Sequence, residues 1–305
     1  MNTSCFLMFR KLTRHIGVVF LSIVLTSSCY QAAAASSREV LTTILPLYIF
    51  SANILNGING VHLELLVEGE NANPHVYTMT VQGVKKIASA EVIIANGKAE
   101  EFFDLGKIRD LNPRARVVLT HQASFRVSGL SPIDARNPHT WLSPKRAIIE
   151  CEEIGKALQE AFPEYDAAIR ENVKIYRKKL EALSERISSL LSKADVFDII
   201  TFHDALDIFA IDYGARILYH IEEVHGIPPS PKRLADILDT IKAKGGKVIL
   251  VSESPEPDRI TSMIAGKTDA PVVWFDPIIS GGKNVTRYEE TMLMNVEKLI
   301  SSFTM

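Results

Sequence analysis

The chain has 305 residues, of which 47% are apolar and 23% are charged, a composition typical of a globular protein with enough material for two compact lobes. The 34 Lys and Arg residues nearly balance the 36 Asp and Glu residues, which leaves a formal net charge of −2. Nucleic-acid-binding proteins usually carry a basic patch. The balanced charge therefore argues against a nucleic acid partner and favours a small or neutral one.

Residues 1–36 are predicted to be an export signal. Three basic side chains precede an apolar stretch at 16–25, which is too short to span a bilayer comfortably and is followed by small residues. Cleavage near Ala34 and lipid modification of Cys29 are both open, as is an N-terminal anchor that is never cut. We therefore expect the mature chain in the periplasm or at the outer face of the cytoplasmic membrane, with or without a lipid anchor.

Cysteine is rare in this chain. Cys5 and Cys29 belong to the predicted export segment, which leaves Cys151 alone in the mature chain and excludes an internal disulfide. Cys151 falls within a helical pattern that begins at Pro144, and we interpret it as a small buried apolar residue rather than as a ligand.

Strand and helix patterns alternate from residue 38 onward, which is typical of βαβ units with a mainly parallel sheet. The predicted strands of this first lobe, 38–162, are 40–45, 63–67, 92–95 and 117–119. The helical patterns between them are 48–56 and 81–90, the second with Thr80 as its N-cap.

The stretch 163–194 is predicted to be one long helix that joins two lobes. It contains no Gly or internal Pro, and apolar residues recur at three- and four-residue steps, namely Tyr165, Ile169, Val173, Tyr176, Leu180, Leu183, Ile187 and Leu190. A helix of about 30 residues is about 45 Å long, more than a single lobe needs. A coiled-coil dimer is the alternative, although the apolar face is only about four heptads long; we expect a monomer.

The alternation resumes in a second lobe, 195–305. Its predicted strands are 197–201, 216–219, 248–251 and 272–275, and its predicted helices are 206–213, 232–244, 258–267 and 288–303. The fold class is therefore α/β, with two similar lobes and mainly parallel sheets joined by one long rigid helix. Ligands of such open sheets bind beyond the carboxyl ends of the strands.

The most informative motif is Asn-Pro-His, which occurs at 73–75 and again at 137–139. With 14 Pro and 8 His in the chain, chance would give about 0.4 Pro-His pairs, so the repeat is informative. His75 and His139 are 64 positions apart, and a further 64 positions lead to His203, at the end of an apolar run. Three imidazoles on separate loops predict a metal site assembled across the fold.

Proline before His75 and His139 stiffens each loop, because the pyrrolidine ring fixes φ and restricts the residue before it. Rigid presentation suits a metal ligand, which must lie near 2 Å from the ion. A single copy of the motif would be read as a turn with a surface histidine.

For the fourth ligand we favour Asp276, which ends an apolar strand and precedes a proline, over Glu253, which ends another strand in the same way.

These segments resemble the cluster A-I zinc- and manganese-binding proteins of bacterial ABC transporters. The resemblance covers nearly the whole mature chain and keeps the motif order, and it is carried by Asn73-Pro74-His75-Val76-Tyr77, Asn137-Pro138-His139-Thr140-Trp141-Leu142-Ser143-Pro144, His203-Asp204-Ala205-Leu206, Phe275-Asp276-Pro277, Pro228-Pro229-Ser230-Pro231 and the segment 88–97. It implies two lobes joined by a rigid helix, a metal in the cleft between them, and ligand roles for His75, His139, His203 and Asp276. It also implies a permease and a separate ATPase as partners.

The chain departs from the common pattern of these proteins at several positions. Asp-Pro-His is the commoner form of the motif, whereas both copies here carry Asn, and Thr78-Met79-Thr80 replaces acidic and proline residues. The segment 119–137 contains only one histidine, His121, so the His-rich acidic loop of many zinc-binding members is missing. Three imidazoles and one carboxylate nevertheless favour Zn(II), while Mn(II) and Fe(II) stay open.

Rival functions fit the sequence less well. A zinc hydrolase would keep one coordination position open for water, and the chain has neither a His-Glu-x-x-His nor a Gly-x-Ser-x-Gly motif. The run 266–268 imitates the end of a P-loop but lacks the first glycine, so we expect no enzymatic activity. A surface adhesin remains the alternative from a third class.

The other histidines are expected to serve the fold or the surface. We interpret His62 and His121 as structural or exposed. The polar cluster of His220, Glu222, Glu223 and His225 is interpreted as solvated surface, with transient metal capture near the cleft as the alternative hypothesis.

Overall fold

The computed structural model of the chain describes residues 38–69, 72–97, 105–125, 137–193, 198–223, 227–245 and 247–303. The predicted export segment, with Cys29 and Ala34, lies outside these residues, as does His225. Within the described ranges no helix combines the length and the apolar character needed to cross a membrane.

Two four-stranded sheets form the centres of two α/β lobes in the described part of the chain. The strands are β1 (Arg38–Thr42), β2 (Val61–Leu65), β3 (Val92–Ala95), β4 (Arg116–Leu119), β5 (Asp198–Thr201), β6 (Arg216–His220), β7 (Ile249–Ser252) and β8 (Val272–Trp274). The strand orders are β2-β1-β3-β4 and β6-β5-β7-β8. The pairs β1–β3, β3–β4, β5–β6, β5–β7 and β7–β8 are parallel, which confirms the predicted fold class.

Helices alternate with these strands, as the periodicity predicts. They are α1 (Leu45–Ile54), α2 (Val81–Ser89), α3 (Leu105–Leu111), α4 (Thr120–Ser124), α5 (Pro144–Ala161), α6 (Asp166–Leu191), α7 (Asp207–Tyr213), α8 (Pro231–Ala243), α9 (Arg259–Thr268) and α10 (Arg287–Phe303). The hydroxyl of Thr80 accepts a hydrogen bond from Gly83 N at 3.0 Å, so the predicted N-cap of α2 is confirmed.

The differences from the predicted elements have local causes. Helix α1 begins three residues before the predicted start because Pro46 fits the first turn of a helix, and β1 consequently ends at Thr42 rather than at residue 45. Helices α3 and α4 were not predicted, since seven and five residues are too few to show a complete amphipathic repeat.

The long connecting helix is shorter than predicted. Pro163–Tyr165 forms a 3-10 turn, and α6 then runs for 26 residues, about 39 Å at 1.5 Å per residue. Its apolar stripe packs within the chain against α1 and α5 of the first lobe and against α10 of the second. The stripe that a coiled-coil dimer would require is therefore covered by this chain's own helices.

One apolar cluster runs through both lobes. Its largest fully buried side chains come from both halves of the chain, namely Phe50, Trp141, Phe162, Tyr176, Phe209, Phe275 and Tyr288. Cys151 also lies in this cluster with no exposed surface, and burial raises the pKa of its thiol, which confirms its interpretation as a buried apolar residue. A shared core of this kind restricts independent movement of the lobes.

Candidate metal centre

The three predicted histidines come together at the carboxyl ends of the strands. One ligand nitrogen from each of His75, His139 and His203 lies within 4.8 Å of the others. The ring centroids are 5.6 Å apart for His75 and His139, 5.6 Å for His75 and His203, and 5.1 Å for His139 and His203. In tetrahedral zinc sites the ligand nitrogens lie about 3.4 Å apart, so small ring rotations would bring these three imidazoles onto one ion.

His75 is presented by a short turn. Asn73 Oδ1 accepts a hydrogen bond from His75 N at 2.9 Å, and Pro74–Val76 forms a single 3-10 turn. An asparagine that bonds the amide two residues later closes an Asx turn, and the following proline fits the first position of the turn. The ring is half-buried, and its neighbour Val76 is 74% exposed.

His139 is presented by the same local turn but is held more firmly. Asn137 Oδ1 accepts from His139 N at 2.9 Å and lies 2.9 Å from His139 Nδ1. The backbone of the turn is anchored from two sides, because His121 Nε2 lies 3.0 Å from Asn137 O and Asn96 Nδ2 donates to Pro138 O at 2.9 Å. All of these groups are buried.

The tautomer of His139 follows from its contacts. An oxygen that already accepts from a backbone N–H can only accept from the ring, so Nδ1 carries the proton and donates to Asn137 Oδ1. The other ring nitrogen, Nε2, is then deprotonated and is the atom that can bind a metal.

The anchor residues come from the ends of β3 and β4. Asn96 follows β3, and Gly97 adopts φ +108, with Leu119 Cβ only 2.8 Å from the position that a Cβ would occupy. Only glycine fits both constraints, which explains the Asn-Gly pair at this place. His121 lies in α4 and is buried, so of the two interpretations given for it, structural or exposed, the structural one is confirmed.

Trp141 joins the His139 loop to the second lobe. The indole Nε1 donates to Pro277 O at 3.0 Å, and Tyr288 Oη donates to Trp141 O at 2.7 Å. The indole also packs against His139, with ring centroids 5.3 Å apart. The buried aromatic of the second motif therefore links the His139 loop to the segment that follows Asp276.

His203 follows β5 and is 6% exposed. Its Nδ1 lies 2.8 Å from Glu253 Oε1, at the end of the adjacent strand β7. Burial lowers the pKa of His203, but contact with Glu253 and the negative charges of Asp204 and Glu222 outweigh burial, so the pKa is raised overall. Glu253 thus lies against one ring nitrogen, which leaves Nε2 as the atom that could bind a metal.

Asp276 is not a member of the three-histidine group. Its Oδ1 accepts from Ile278 N at 2.8 Å, and its Oδ2 lies 3.2 Å from Arg287 Nη2. The backbone of Asp276 is clamped by Asn295, whose side chain accepts from Asp276 N and donates to Asp276 O. Sequence reasoning missed Arg287, a partner that no local pattern signals.

Ile278 marks strain at the same loop. It has φ +60, a left-handed conformation that is a genuine outlier for a β-branched residue, and it is fully buried. Such conformations cost about 1–3 kcal/mol and persist where surrounding structure enforces them, often at functional sites. The strained residue lies two positions after Asp276.

A cavity of about 320 Å³ opens beside the imidazoles. His75, His139, Trp141, His203, Ser252, Glu253, Pro277 and Ile279 are among its lining residues. The donor set is three imidazoles with carboxylates close by, a combination that suits a divalent transition metal of borderline softness.

The remaining polar cluster differs from its sequence interpretation. His220 is partly buried rather than solvated: its Nδ1 lies 2.8 Å from Thr201 Oγ1 and its Nε2 lies 3.3 Å from Asp207 Oδ1. Glu223 pairs with Arg233 at 2.9 Å. His62 is mainly exposed and pairs with Glu39 at 2.7 Å, as expected for a surface residue.

Two parallel-sheet lobes with an imidazole cluster at their strand ends define a metal-binding protein with a cleft rather than a nucleotide-binding enzyme. The run 266–268 lies at the C-terminal end of α9, whereas a P-loop precedes a helix. The chain belongs to the family described as ZnuA, zinc-uptake complex component A, periplasmic, whose match extends over residues 40–302. This confirms the predicted family, whose members are transport components and not enzymes.

Known relatives cover the chain over nearly its whole length. The iron-binding protein YfeA of Yersinia pestis is 26% identical over 94% of this chain and 94% of its own. The high-affinity zinc uptake system protein ZnuA of Brucella abortus is 25% identical over 84% of this chain and 89% of its own. The structure of FpvC from Pseudomonas aeruginosa in complex with Mn²⁺ is similar with a TM-score of 0.75 and 26% identity, covering 88% of this chain and 98% of FpvC.

Proposed function

We propose that this protein captures a divalent transition metal outside the cytoplasm and delivers it to an ABC permease. Zn(II) is the favoured cargo, and Mn(II) or Fe(II) is the alternative. The observation that carries the proposal is the convergence of His75, His139 and His203, whose ligand nitrogens all lie within 4.8 Å of one another beside an open cavity.

The chemistry of the donors supports zinc. Imidazole suits Zn(II), and a site of three imidazoles and one carboxylate satisfies its tetrahedral preference. Mn(II) binds more weakly than Zn(II) at almost any site of this kind, although metal supply decides which ion is loaded in a cell. The relatives include an iron-binding protein, a zinc uptake protein and a structure in complex with Mn²⁺, which keeps the alternative cargoes in the proposal.

For the fourth ligand we propose Asp276, with Glu253 as the alternative. To reach the ion, the Asp276 carboxylate has to exchange its contact with Arg287 for the metal. Glu253 already contacts His203 Nδ1, where it serves as a carboxylate partner of a ligand imidazole. If Asp276 is the ligand, Asp276→Asn weakens metal binding more than Glu253→Gln does, and the reverse order would transfer the role to Glu253.

The proposed role in metal delivery rests on the membership of this chain in the family. Members act with a permease and an ATPase, and we propose the same partners here. Export through the segment 1–36, a lipid anchor at Cys29 as the alternative to cleavage near Ala34, and a monomeric state belong to the same proposal. Mass spectrometry of the mature chain purified from membranes and from the soluble fraction would distinguish lipidation from cleavage.

Metal analysis of the purified mature chain, followed by competition titrations with zinc and manganese, tests the proposal. We expect one tightly bound ion per chain and a preference for zinc. Loss of a ligand imidazole is expected to weaken binding by about 100-fold or more, beyond the 10–100-fold typical of groups that only support a ligand. His62→Ala provides the matched control, because His62 is an exposed histidine paired with Glu39. A wild-type protein that binds neither ion would refute the proposal.

A further inference from the structure

Asn137 forms a contact that joins the ligand loop of His139 to the segment that carries His203. Its Nδ2 donates to Asp204 O at 2.5 Å, across 67 residues of sequence and from the first lobe to the second. Asp204 directly follows the ligand His203. The same side chain therefore touches the loops of two proposed metal ligands.

The orientation of the Asn137 amide is determined by its partners. The backbone N–H of His139 can only donate, so it must face the amide oxygen, and the carbonyl of Asp204 can only accept, so it must face the amide nitrogen. An amide satisfies both contacts at once. A carboxylate at this position would satisfy the first, but would place a second oxygen against the Asp204 carbonyl oxygen.

Asn73 occupies the matching position of the first Asn-Pro-His motif and serves as a comparison for Asn137. Its described hydrogen bond runs to His75 N, within its own loop, and this bond requires only an acceptor. Asparagine and aspartate are therefore equivalent for the turn at Asn73. At Asn137 they differ, because only asparagine also donates across the cleft.

We propose that Asn137 is a positioning residue that couples the orientation of His139 to the placement of the turn after His203. Its oxygen fixes the tautomer of His139, and its nitrogen holds Asp204, hence the start of the turn after His203. The proposal rests on the metal-capture function above and adds a structural reason for asparagine in the second motif.

Aspartate variants at the two motif positions test the coupling with matched charge. Asn137→Asp and Asn73→Asp each add one negative charge next to a ligand turn, but only Asn137→Asp also loses the cross-lobe hydrogen bond and places a carboxylate oxygen against the Asp204 carbonyl. Loss of a hydrogen bond of typical strength corresponds to about fivefold. We expect Asn137→Asp to bind zinc about fivefold more weakly than Asn73→Asp, and Asn137→Ala, which also loses the tautomer contact, to bind about 10–100-fold more weakly than wild type.

Hydrogen–deuterium exchange in metal-free protein gives a readout that does not depend on metal binding. Asp207 N donates to Asp204 O, the same carbonyl that accepts from Asn137. Exchange in the turn 204–207 is expected to rise about fivefold in Asn137→Asp and to stay at the wild-type rate in Asn73→Asp. Should Asn137→Asp fold poorly, NMR of the wild-type protein replaces it, with one slowly exchanging Asn137 carboxamide proton expected.

The outcomes separate this inference from the proposed function. Equal exchange and equal zinc affinity in the two aspartate variants, or a freely exchanging Asn137 carboxamide in wild type, would overturn the coupling while leaving metal capture intact. Wild-type protein that binds no metal would refute metal capture, and the exchange data alone would then decide whether the cross-lobe contact exists.

Discussion

The two Asn-Pro-His loops share a sequence and a turn, but not a structural environment. The first loop is half-exposed, and its described side-chain bond stays within the turn. The second is buried and is held by Asn96, His121 and Trp141, and by the cross-lobe bond of Asn137 to Asp204. A short motif thus specifies the local conformation of a ligand, while long-range contacts specify how firmly that ligand is held.

This difference assigns different tasks to the two histidines. His139 is 3% exposed and its ring is oriented by Asn137, which would lower the entropic cost of the metal binding proposed above. His75 is more accessible, beside an exposed Val76. We therefore interpret His139 as the preorganised ligand and His75 as the ligand at the open side of the site, and the following variants test that contrast.

The largest expected effect on stability concerns an ion pair that supports the second Asn-Pro-His loop. Asp212 of α7 forms a buried, two-pronged ion pair with Arg146 of α5, at 2.6 and 2.8 Å, and also accepts from Ser143 Oγ at 2.6 Å. Asp212→Ala would leave Arg146 charged and unpaired in the interior, so we expect the free energy of unfolding to fall by about 3–5 kcal/mol. Urea unfolding of metal-free protein measures it.

Asp236→Ala is the control for that variant, because Asp236 pairs with Lys232 on an exposed helix face. Exposed pairs of this type contribute little to stability, because water and salt screen the charges. Equal destabilisation by Asp212→Ala and Asp236→Ala would show that the second loop receives no special support from the opposite lobe.

Glu150 tests the packing around the second Asn-Pro-His loop through the pH dependence of stability. It is fully buried and lies near Ser124 and near Thr140, the residue after His139. Burial raises the pKa of Glu150 to about 7, although hydrogen bonds from Thr140, Ser124 and Thr120 lower it. The folded state therefore keeps a proton that the unfolded state loses near its ordinary value of 4.5. Stability falls as pH rises between these two values, and above the upper one the cost is about 3 kcal/mol.

Glu150→Gln removes this charge. We expect it to stabilise the metal-free protein by about 3 kcal/mol at about pH 8, and to have little effect near about pH 3, well below both pKa values, where the glutamate is protonated in both states. Glu152→Gln on the same helix is the control, since Glu152 is exposed and pairs with Arg177. A parallel pH dependence of stability in wild type and Glu150→Gln would contradict the assignment.

Alanine variants of His75 and His139, the two proposed ligands of the Asn-Pro-His loops, compare how much each ring contributes to stability. In metal-free protein, His139→Ala removes a buried ring that packs against Trp141 and bonds Asn137, so we expect a loss of about 1–3 kcal/mol. His75→Ala removes a half-buried ring and is expected to cost less than about 1 kcal/mol. Thermal unfolding in the presence of a chelator measures both, and a larger loss for His75→Ala would reverse the assignment of tasks.

Trp141→Phe is expected to have only a small effect on zinc affinity. The change keeps an aromatic ring against His139 but removes the bond from Nε1 to Pro277 O, which is worth about 0.5–1.5 kcal/mol. Zinc affinity is expected to fall by about fivefold or less, because the loop stays anchored by Asn96 and His121. An affinity loss as large as that of His139→Ala would mean that the tryptophan, not the turn, positions the ligand.

The sequence predicts the architecture well because its signals are local. The strand at 92–95 and the helix at 81–90 follow from short apolar patterns and from the cap at Thr80, and the structure has them within one residue. Parallel pairing follows from the alternation of strands and helices. The short helices α3 and α4 escape detection because their length falls below one clear amphipathic repeat.

The site is predictable only in part, for a physical reason. The three histidines are marked by proline and by strand ends, both of which are local features. The contacts of Asp276 with Arg287, of His203 with Glu253 and of Asn137 with Asp204 depend on how separate loops meet. The conformation of Ile278 likewise results from enforced packing, since isoleucine has no intrinsic preference for positive φ.

X-ray absorption spectroscopy of the zinc-loaded mature chain tests the central claim most directly. If His75, His139 and His203 bind one ion together, the spectrum shows three imidazole nitrogens at about 2.0–2.1 Å and one oxygen at a similar distance. The imidazole count is expected to fall to two in each single alanine variant of these residues and to stay at three in His62→Ala. A wild-type spectrum with fewer than three imidazoles would contradict the account.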